Sequence, residues 1–126
     1  MRIRESYFNI SQKLFFNGNG YSIIITNWNS YRGLFSFNNN ELYNFSLIFN
    51  YPKIKNLKVE MVNSYLDDRG GGIILPNSKF FIVQNCIFTG TINNDHSGGI
   101  IGMSCGSNFG KCIVRNCINT GDIIGQ

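Results

Sequence analysis

The sequence has 126 residues and a formal net charge of +4; 14% of its residues are charged and 43% are hydrophobic. This length accommodates one domain or a piece of a longer one, and the apolar content is enough for a core, which argues against general disorder. No apolar run approaches the ~18 residues of a transmembrane helix. No apolar segment follows the basic N-terminus as in a secretory signal, and the basic residues are too scattered to predict a nucleic-acid interface.

Asparagine and isoleucine dominate the composition. The chain contains 19 Asn, 18 Ile and 11 Phe residues but no alanine. β-Branched and aromatic residues favour strands, whereas Asn and Gly favour turns. The composition therefore predicts an all-β protein with frequent turns, and no segment predicts a helix.

The first half of the chain consists of short apolar runs separated by Asn-rich turns. Residues 1–12 are predicted to be a lead-in segment, and residues 14–25 carry Asn-Gly-Asn-Gly between two apolar runs. By itself this pattern predicts a β-hairpin, but in a coiled β-structure the same residues would form one corner. The sequence leaves both alternatives open.

A basic cluster precedes and enters the next strand-like run, residues 54–62. Partial alternation places Leu57, Val59 and Met61 on one side of this run. We interpret the cluster as a solvated sheet edge that lysines protect from pairing. Its members are Lys53, Lys55 and Lys58.

The second half contains a repeated unit. Residues 82–92, IVQNCIFTGTI, and residues 113–123, IVRNCINTGDI, match at eight of eleven positions with an offset of 31. A Gly-Gly-Ile-Ile element precedes each copy, starting at Gly71 and at Gly98, with an offset of 27. The difference of four residues predicts a longer surface loop within residues 103–111 of the second unit.

Apolar residues inside the unit come in pairs instead of alternating. Ile113-Val114 and Cys117-Ile118 flank Arg115-Asn116, which predicts a bend and not a flat strand. Asparagine tolerates left-handed backbone, so Asn85 and Asn116 are expected to form this bend and to stack as an amide ladder. Gly90 and Gly121 would mark the next corner, where a positive φ suits glycine.

A fixed repeat without helices predicts a parallel β-helix, right-handed and of four or five coils, with an antiparallel β-sandwich as the alternative. Residues 1–30 would form the lead-in and the first coil, and residues 31–126 the solenoid repeats. Gly33-Leu34-Phe35 is a weaker copy of Gly-Ile-Ile. Because the C-terminal GDIIGQ stops where another unit would begin, we expect a truncated array or a last coil that another chain covers.

At the Gly-Gly-Ile-Ile-Gly and Asn-Cys-x-x-Thr-Gly-x-Ile elements, the chain resembles repeat proteins of the giant DNA viruses that infect amoebae. It is also similar to the GLUG-type repeats of bacterial surface adhesins. The resemblance covers residues 71–126 and, loosely, residues 33–62. It implies a β-helical fold without an assigned activity. The matched residues are structural Gly, Asn and aliphatic residues, so no catalytic residue is carried over.

The four cysteines predict buried thiols. Cys86 and Cys117 occupy the same position in the two copies, and free cysteine packs as a small apolar residue. A Cys105–Cys112 disulfide is an alternative that no secretory signal supports. The cysteine spacing lacks the C-x2-C element of a zinc site. We predict no metal and no cofactor.

Few residues suggest catalysis. His96 lies beside Ser97, but members of a working triad are brought together by the fold, so we interpret His96 as an exposed loop residue. Asp67, Asp68 and Asp95 form a weak candidate acid cluster, because glycoside-cleaving enzymes use paired carboxylates. Asp67-Asp68-Arg69-Gly70 equally predicts a turn.

Aromatic residues are concentrated in the N-terminal half and are expected mainly to fill the core. An exposed subset could stack on sugar rings. Trp28 and Tyr31 are our candidates for such ligand contacts, because they lie in the polar stretch 27–32.

Two functions fit these patterns. The first is a non-enzymatic structural or adhesive β-solenoid, such as a virion or surface component. It would bind a carbohydrate or a host surface protein and could form homo-oligomers or stack end to end. The second is a carbohydrate-active enzyme, a polysaccharide lyase or glycoside hydrolase, on the same scaffold. Neither nucleic acid nor a membrane is expected as a partner.

Overall fold

The computed structural model describes residues 7–10, 14–37, 51–92, 96–107 and 110–124. Within these ranges the chain contains ten β-strands and no helix, which confirms the predicted all-β class. The strands are β1 Phe8–Ile10, β2 Phe15–Asn17, β3 Ser22–Thr26, β4 Phe35–Phe37, β5 Lys53–Lys55, β6 Lys58–Val62, β7 Phe80–Gln84, β8 Ile87–Thr89, β9 Lys111–Arg115 and β10 Ile118–Thr120.

All pairings between the described strands are parallel. Two sheets have four strands each, in the orders β2-β5-β7-β9 and β3-β6-β8-β10, and a third sheet pairs β1 with β4. Consecutive strands therefore enter different sheets and define four layers: β2/β3, β5/β6, β7/β8 and β9/β10. Parallel pairing is confirmed, and the antiparallel alternative is wrong for these strands.

The register aligns the repeated units residue by residue. Val83 pairs with Val114 at the predicted offset of 31, and Ile74 bridges Ile101 at the offset of 27. The four additional residues lie between Ile101 and Lys111, where Lys111 already pairs with Phe80. The predicted position of the longer loop is thus confirmed.

The third sheet extends through isolated bridges along the same direction. Phe35 pairs with Phe8 on one side and bridges Ile74 on the other, and Ile74 bridges Ile101. The N–H of Leu34 donates to the carbonyl of Ile73 at 2.9 Å. Gly33-Leu34-Phe35 therefore occupies the place of a Gly-Ile-Ile element, as predicted.

Residues 14–25 form a corner and not a hairpin. Strands β2 and β3 belong to different sheets, and the N–H of Tyr21 donates to the carbonyl of Gly18 at 2.9 Å to close the turn. The hairpin alternative is therefore wrong.

Asparagine in left-handed backbone marks the corner between the two four-stranded sheets. Asn56, Asn85 and Asn116 have φ values of 57°, 53° and 51°, as predicted for the last two. The expected amide ladder between Asn85 and Asn116 is not formed; instead, the N–H of Asn85 donates to the carbonyl of Arg115 at 3.0 Å. Hydrogen bonds between side-chain amides form at two other asparagine pairs. Asn63 donates to Asn27 at 2.6 Å, and Asn56 donates to Asn17 at 3.0 Å.

The next corner uses glycine differently in its two copies. Gly121 has a φ of 119°, which confirms the predicted left-handed conformation. Gly90 is not among the positive-φ residues, so the expectation for it is wrong. Gly90 instead leaves room for the side chain of Met61, because a β-carbon at position 90 would collide with it.

The core lies between the three sheets. Ile54 and Val83 come from one four-stranded sheet, Val59 and Phe88 from the other, and all four are fully buried. Phe37 of the third sheet stacks on Phe81 with ring centroids 5.3 Å apart. The apolar side of residues 54–62 is confirmed, since Leu57, Val59 and Met61 are buried.

The basic cluster does not lie at a sheet edge. Strand β5, which contains Lys53 and Lys55, pairs with β2 and β7, and β6, which begins at Lys58, pairs with β3 and β8. Both are interior strands with partners on both sides. The interpretation of these lysines as edge protection is therefore wrong.

Candidate functional site

The Asp67–Gly70 segment is a turn, and its backbone explains the placement of both carboxylates. The Asp67 carboxylate accepts the N–H of Asp68 at 2.9 Å, and the Asp67 carbonyl accepts the N–H of Gly70 at 3.0 Å. Arg69 takes a left-handed φ of 68°. The turn interpretation of Asp67-Asp68-Arg69-Gly70 is confirmed.

His96 and Ser97, which lie between β8 and β9 in the chain, contact this turn. His96 Nδ1 lies 3.1 Å from Asp68 Oδ1, and the Ser97 hydroxyl donates to the Asp67 carbonyl at 2.8 Å. The serine hydroxyl is therefore directed at backbone and not at the imidazole of His96, so the pair lacks the geometry of a nucleophile and its base. Asp95 lies outside the described residues.

The Asp68–His96 contact is exposed to water. The two side chains are 52% and 58% exposed, and Arg69 Nε lies 3.9 Å from the other Asp68 oxygen. Exposed ion pairs of this kind contribute little to stability. These contacts link two loops, and the two described carboxylates of the cluster, Asp67 and Asp68, are both exposed to water.

Tyr31 is a core residue, so its expected exposure to a ligand is wrong. Its side chain is 0% exposed, and its hydroxyl donates to the carbonyl of Gly72 at 2.7 Å. Burial raises the pKa of the Tyr31 phenol above its ordinary value. The hydroxyl satisfies a buried backbone carbonyl, and the buried ring cannot stack on a sugar.

Trp28 is half-buried beside Tyr31. The two rings meet edge to face with centroids 5.4 Å apart, and the Trp28 backbone N–H donates to the hydroxyl of Ser64 at 3.0 Å. Trp28 also packs against the core. Only part of its ring surface is therefore open to a ligand.

The cysteine thiols repeat the same contacts in successive layers. The Cys86 thiol donates to the carbonyl two residues earlier, Gln84, at 3.3 Å, and Cys117 does the same to Arg115 at 3.3 Å. Burial, with a smaller contribution from Cys117, raises the pKa of Cys86 to about 11. The buried-thiol interpretation is confirmed for Cys86.

The other two cysteines are partly buried and also free, so the Cys105–Cys112 disulfide is not formed. Burial raises the pKa of Cys105 to about 11 and raises that of Cys112 as well. In the described ranges, no group of three or more His, Cys, Asp or Glu residues is placed to hold a metal ion. The same part of the chain contains no helix long and apolar enough to cross a membrane.

Exposed large apolar side chains concentrate at the two ends of the stack of layers. We call β1, β2 and β3 with their adjoining turns the first edge, and β9, β10 and residues 101–103 and 123–124 the last edge. The first edge exposes Tyr7, Phe8, Phe15, Tyr21 and Ile24, and the last edge exposes Met103, Val114, Ile118, Ile123 and Ile124. Among the described residues, only Val62 and Tyr65 are comparably exposed between the edges.

One alignment of polar side chains was not predicted, because it depends on a repeat copy that was not recognised. Residues 53–60, KIKNLKVE, lie in register with residues 82–89, IVQNCIFT, and so belong to a third copy of the unit. The copies share an apolar residue, a polar residue and Asn at positions 54–56 and 83–85. This alignment brings Lys55, Gln84 and Arg115 into one row.

The chain matches no protein-family model, no curated protein sequence and no solved structure.

Proposed function

We propose that the four layers are consecutive coils of a right-handed parallel β-helix, and that the chain is a non-enzymatic structural module that stacks end to end. The concentration of exposed apolar side chains at the first and last edges carries this proposal. Soluble monomers rarely expose large contiguous apolar patches, whereas interaction surfaces do so.

The strand directions support a head-to-tail contact. Among the described strands, β9 and β10 each pair with one neighbour, as do β2 and β3 at the opposite end. Strand edges of this kind can pair with a further parallel strand from another chain. Because all strands of a sheet run in the same direction, the first edge of a second copy would continue both sheets. Such a contact joins two different surfaces and produces a filament unless it closes into a ring.

The core supports the same arrangement. Val114 of β9 continues the inward row of Ile54 and Val83, but it is 42% exposed where they are buried. Purely parallel sheets are normally buried on their faces and extended by further strands. A second copy on the last edge would bury Val114 together with Ile118.

The resemblance to giant-virus repeats and to adhesin repeats supports a structural or adhesive role. In this proposal the chain is a component of a virion or of a surface assembly, and the sheet faces between the edges bind the host ligand. The alternative, a carbohydrate-active enzyme, requires Asp67, Asp68 and Asp95 to converge. Asp67 closes a turn and Asp68 contacts His96, so no observation in the described part of the chain favours the enzyme.

Sedimentation velocity tests the end-to-end contact. Val114→Lys places a charge on the last edge, and Val62→Lys places the same charge between the edges at a residue of similar exposure, 46% against 42%. The native chain is expected to form a concentration-dependent series of oligomers that Val114→Lys abolishes and Val62→Lys preserves, with circular dichroism checking that both variants fold. A native chain that stays monomeric at all concentrations, or equal effects of the two variants, would overturn the proposal.

A further inference from the structure

A row of alternating amide and cationic side chains crosses the β2-β5-β7-β9 sheet. Successive residues of a strand point to opposite faces. Ile54 and Val83 are buried in the core, so the residues that follow them, Lys55 and Gln84, lie on the opposite face. The register aligns four such residues across the four strands, which we call the amide–cation row: Asn17, Lys55, Gln84 and Arg115.

Two further cations lie on this face, Lys53 in β5 and Lys111 in β9, and together with Lys55 and Arg115 they define the basic face. The carboxylates of the described residues lie elsewhere. Glu60 is in the other four-stranded sheet, Asp67 and Asp68 are in the turn, and Asp122 follows β10. The ion-pair contacts found at Asp68, with Arg69 and with His96, involve none of these four cations. Within the described residues, no carboxylate is placed to neutralise the four cations of the basic face.

This concentration of charge has no evident structural role. Lys53 and Lys55 lie in an interior strand, so they do not protect an edge. Like charges that share one sheet face repel each other and lower stability. A feature that costs stability without supporting the fold indicates a partner that supplies the opposite charge.

We propose that the basic face binds a linear anionic polysaccharide, carrying sulfate or carboxylate groups, that runs across the strands along the amide–cation row. Neighbouring strands are ~4.8 Å apart. The backbones of Lys55 and Arg115 are therefore separated by about 10 Å, because one strand lies between theirs. A polymer with an anionic group on every second sugar presents charges and hydroxyls in alternation. Arg115 and Lys55 pair with the anionic groups, while the amides of Asn17 and Gln84 hydrogen-bond the hydroxyls between them.

The aromatic residues of this face favour a polysaccharide over a single-stranded nucleic acid. Nucleic-acid channels stack successive bases on a series of rings. Tyr51 and Phe80 are 4% exposed and pack with Ile82 in a separate apolar cluster, so their rings are not presented between the cations. Among the described aromatic residues of this face, Phe15 is exposed, and it lies at the margin of the sheet beside Lys53.

The amides of the row are oriented by neighbouring residues. Asn17 Oδ1 accepts the N–H of Asn19 at 2.9 Å and the Nδ2 of Asn56 at 3.0 Å. These bonds hold the Asn17 amide in place and leave its NH2 group as the donor for a ligand oxygen. Gln84 is half-buried in an interior strand, which also limits its movement.

This inference adds a ligand class to the proposed adhesive role and rests on it, but its test does not depend on self-association. Heparin binding by titration calorimetry is measured for the native chain, for Lys53→Gln/Lys55→Gln, and for a control with the same charge change, Lys58→Gln/Arg32→Gln. Lys53 and Lys55 lie in an interior strand, away from the first and last edges. A loss of heparin binding in this double variant can therefore be distinguished from a loss of end-to-end stacking. Neutral dextran and single-stranded DNA are the comparison ligands.

The native chain is expected to bind heparin with a strong dependence on salt, to bind single-stranded DNA more weakly, and not to bind dextran. Lys53→Gln/Lys55→Gln is expected to weaken heparin binding roughly tenfold or more and to reduce the salt dependence, because each cation releases counterions. The control pair should change the affinity much less, and Lys53→Arg/Lys55→Arg should retain it. No heparin binding, an equal loss in the control, or equally tight binding of DNA would each overturn the proposal.

Discussion

Val83 and Val114 are direct neighbours in parallel register, although 31 residues separate them in the chain. The same relationship joins Ile54 to Val83, at a separation of 29 residues. Each repeat unit therefore supplies one layer, and an inward residue of one layer rests on the equivalent residue of the layer before it. The layered arrangement follows from this stacking.

Because Gly72 packs closely against the next layer, we expect Gly72→Ala to lower the stability of the fold strongly. A β-carbon at Gly72 would collide with the carbonyl oxygen of Gly99 and with the ring of Phe88, which is fully buried. We expect the free energy of unfolding to fall by about 3 kcal/mol, as in overpacked cores. Urea denaturation measures this change.

Gly20→Ala is the matched control, because Gly20 has a φ of 79° but no atom within 4 Å of the β-carbon. Backbone strain alone should cost it about 1 kcal/mol. Equal losses in Gly72→Ala and Gly20→Ala would contradict the close approach of the layers.

The left-handed corner predicts that Asn85 tolerates glycine but not a β-branched residue. Asn85 has a φ of 53° and is exposed, so its side chain is not needed for core packing. Asn85→Gly should change the free energy of unfolding by less than about 1 kcal/mol, whereas Asn85→Val should lower it by about 2 kcal/mol. Thermal and urea unfolding of both variants measure the difference.

Asn9→Val, in the exposed strand position of β1, controls for the loss of an amide and should be nearly neutral. A result in which Asn85→Gly and Asn85→Val are equally stable would argue against the left-handed corner.

The buried hydroxyl and thiols predict that stability falls at alkaline pH. Burial raises the pKa of Cys86 and Cys105 from the ordinary 9.0 to about 11, and it raises that of Tyr31 from 10.0. The folded state therefore holds protons that the unfolded state has released, and the free energy of unfolding decreases as the pH rises above about 9. Denaturation series between neutral pH and pH 11 measure this decrease.

Tyr31→Phe separates the phenol from the thiols. At neutral pH this variant should lose about 1 kcal/mol, because the Gly72 carbonyl loses its donor, but its stability should fall less steeply above pH 10 than that of the native chain. Tyr65→Phe, at a residue that is 50% exposed, should change neither quantity. A native chain whose stability is flat up to pH 11 would show that these groups are not buried.

The stacked cysteines predict an order of reactivity. Cys86 is fully buried under the last layer, whereas Cys117 is in that layer and only partly buried. Iodoacetamide should modify Cys117 well before Cys86 in the folded protein, as peptide mass spectrometry can follow, and both at similar rates in denaturant. Faster modification of Cys86 in the folded state would mean that the order of the layers is wrong.

The repeat gave the register of the second half, because identical Asn, Gly and aliphatic residues require identical surroundings. Val83, Val114 and the Asn85 and Asn116 corners could therefore be predicted from the sequence. The copy at residues 53–62 retains only Asn56 and the apolar pattern, so it was not recognised. Without it, the order of the strands was unknown, and Lys53 and Lys55 could not be assigned to an interior strand.

The candidate ligand contacts depended on long-range packing that local sequence does not encode. Tyr31 lies in a polar stretch, which favoured exposure, but its hydroxyl bonds to Gly72, 41 residues later. The amide–cation row likewise joins residues from four separate strands. By contrast, the turn at Asp67 and Asp68 uses bonds within four residues, and the sequence predicted it correctly.

The most direct test of the parallel register is a set of cross-strand nuclear Overhauser effects between β7 and β9 in isotope-labelled protein. Parallel pairing predicts contacts of Phe80 with Lys111 and of Gln84 with Arg115, with Val83 and Val114 between them. Contacts of Phe80 with Arg115 and of Gln84 with Lys111 would instead show an antiparallel pair and contradict the layered structure.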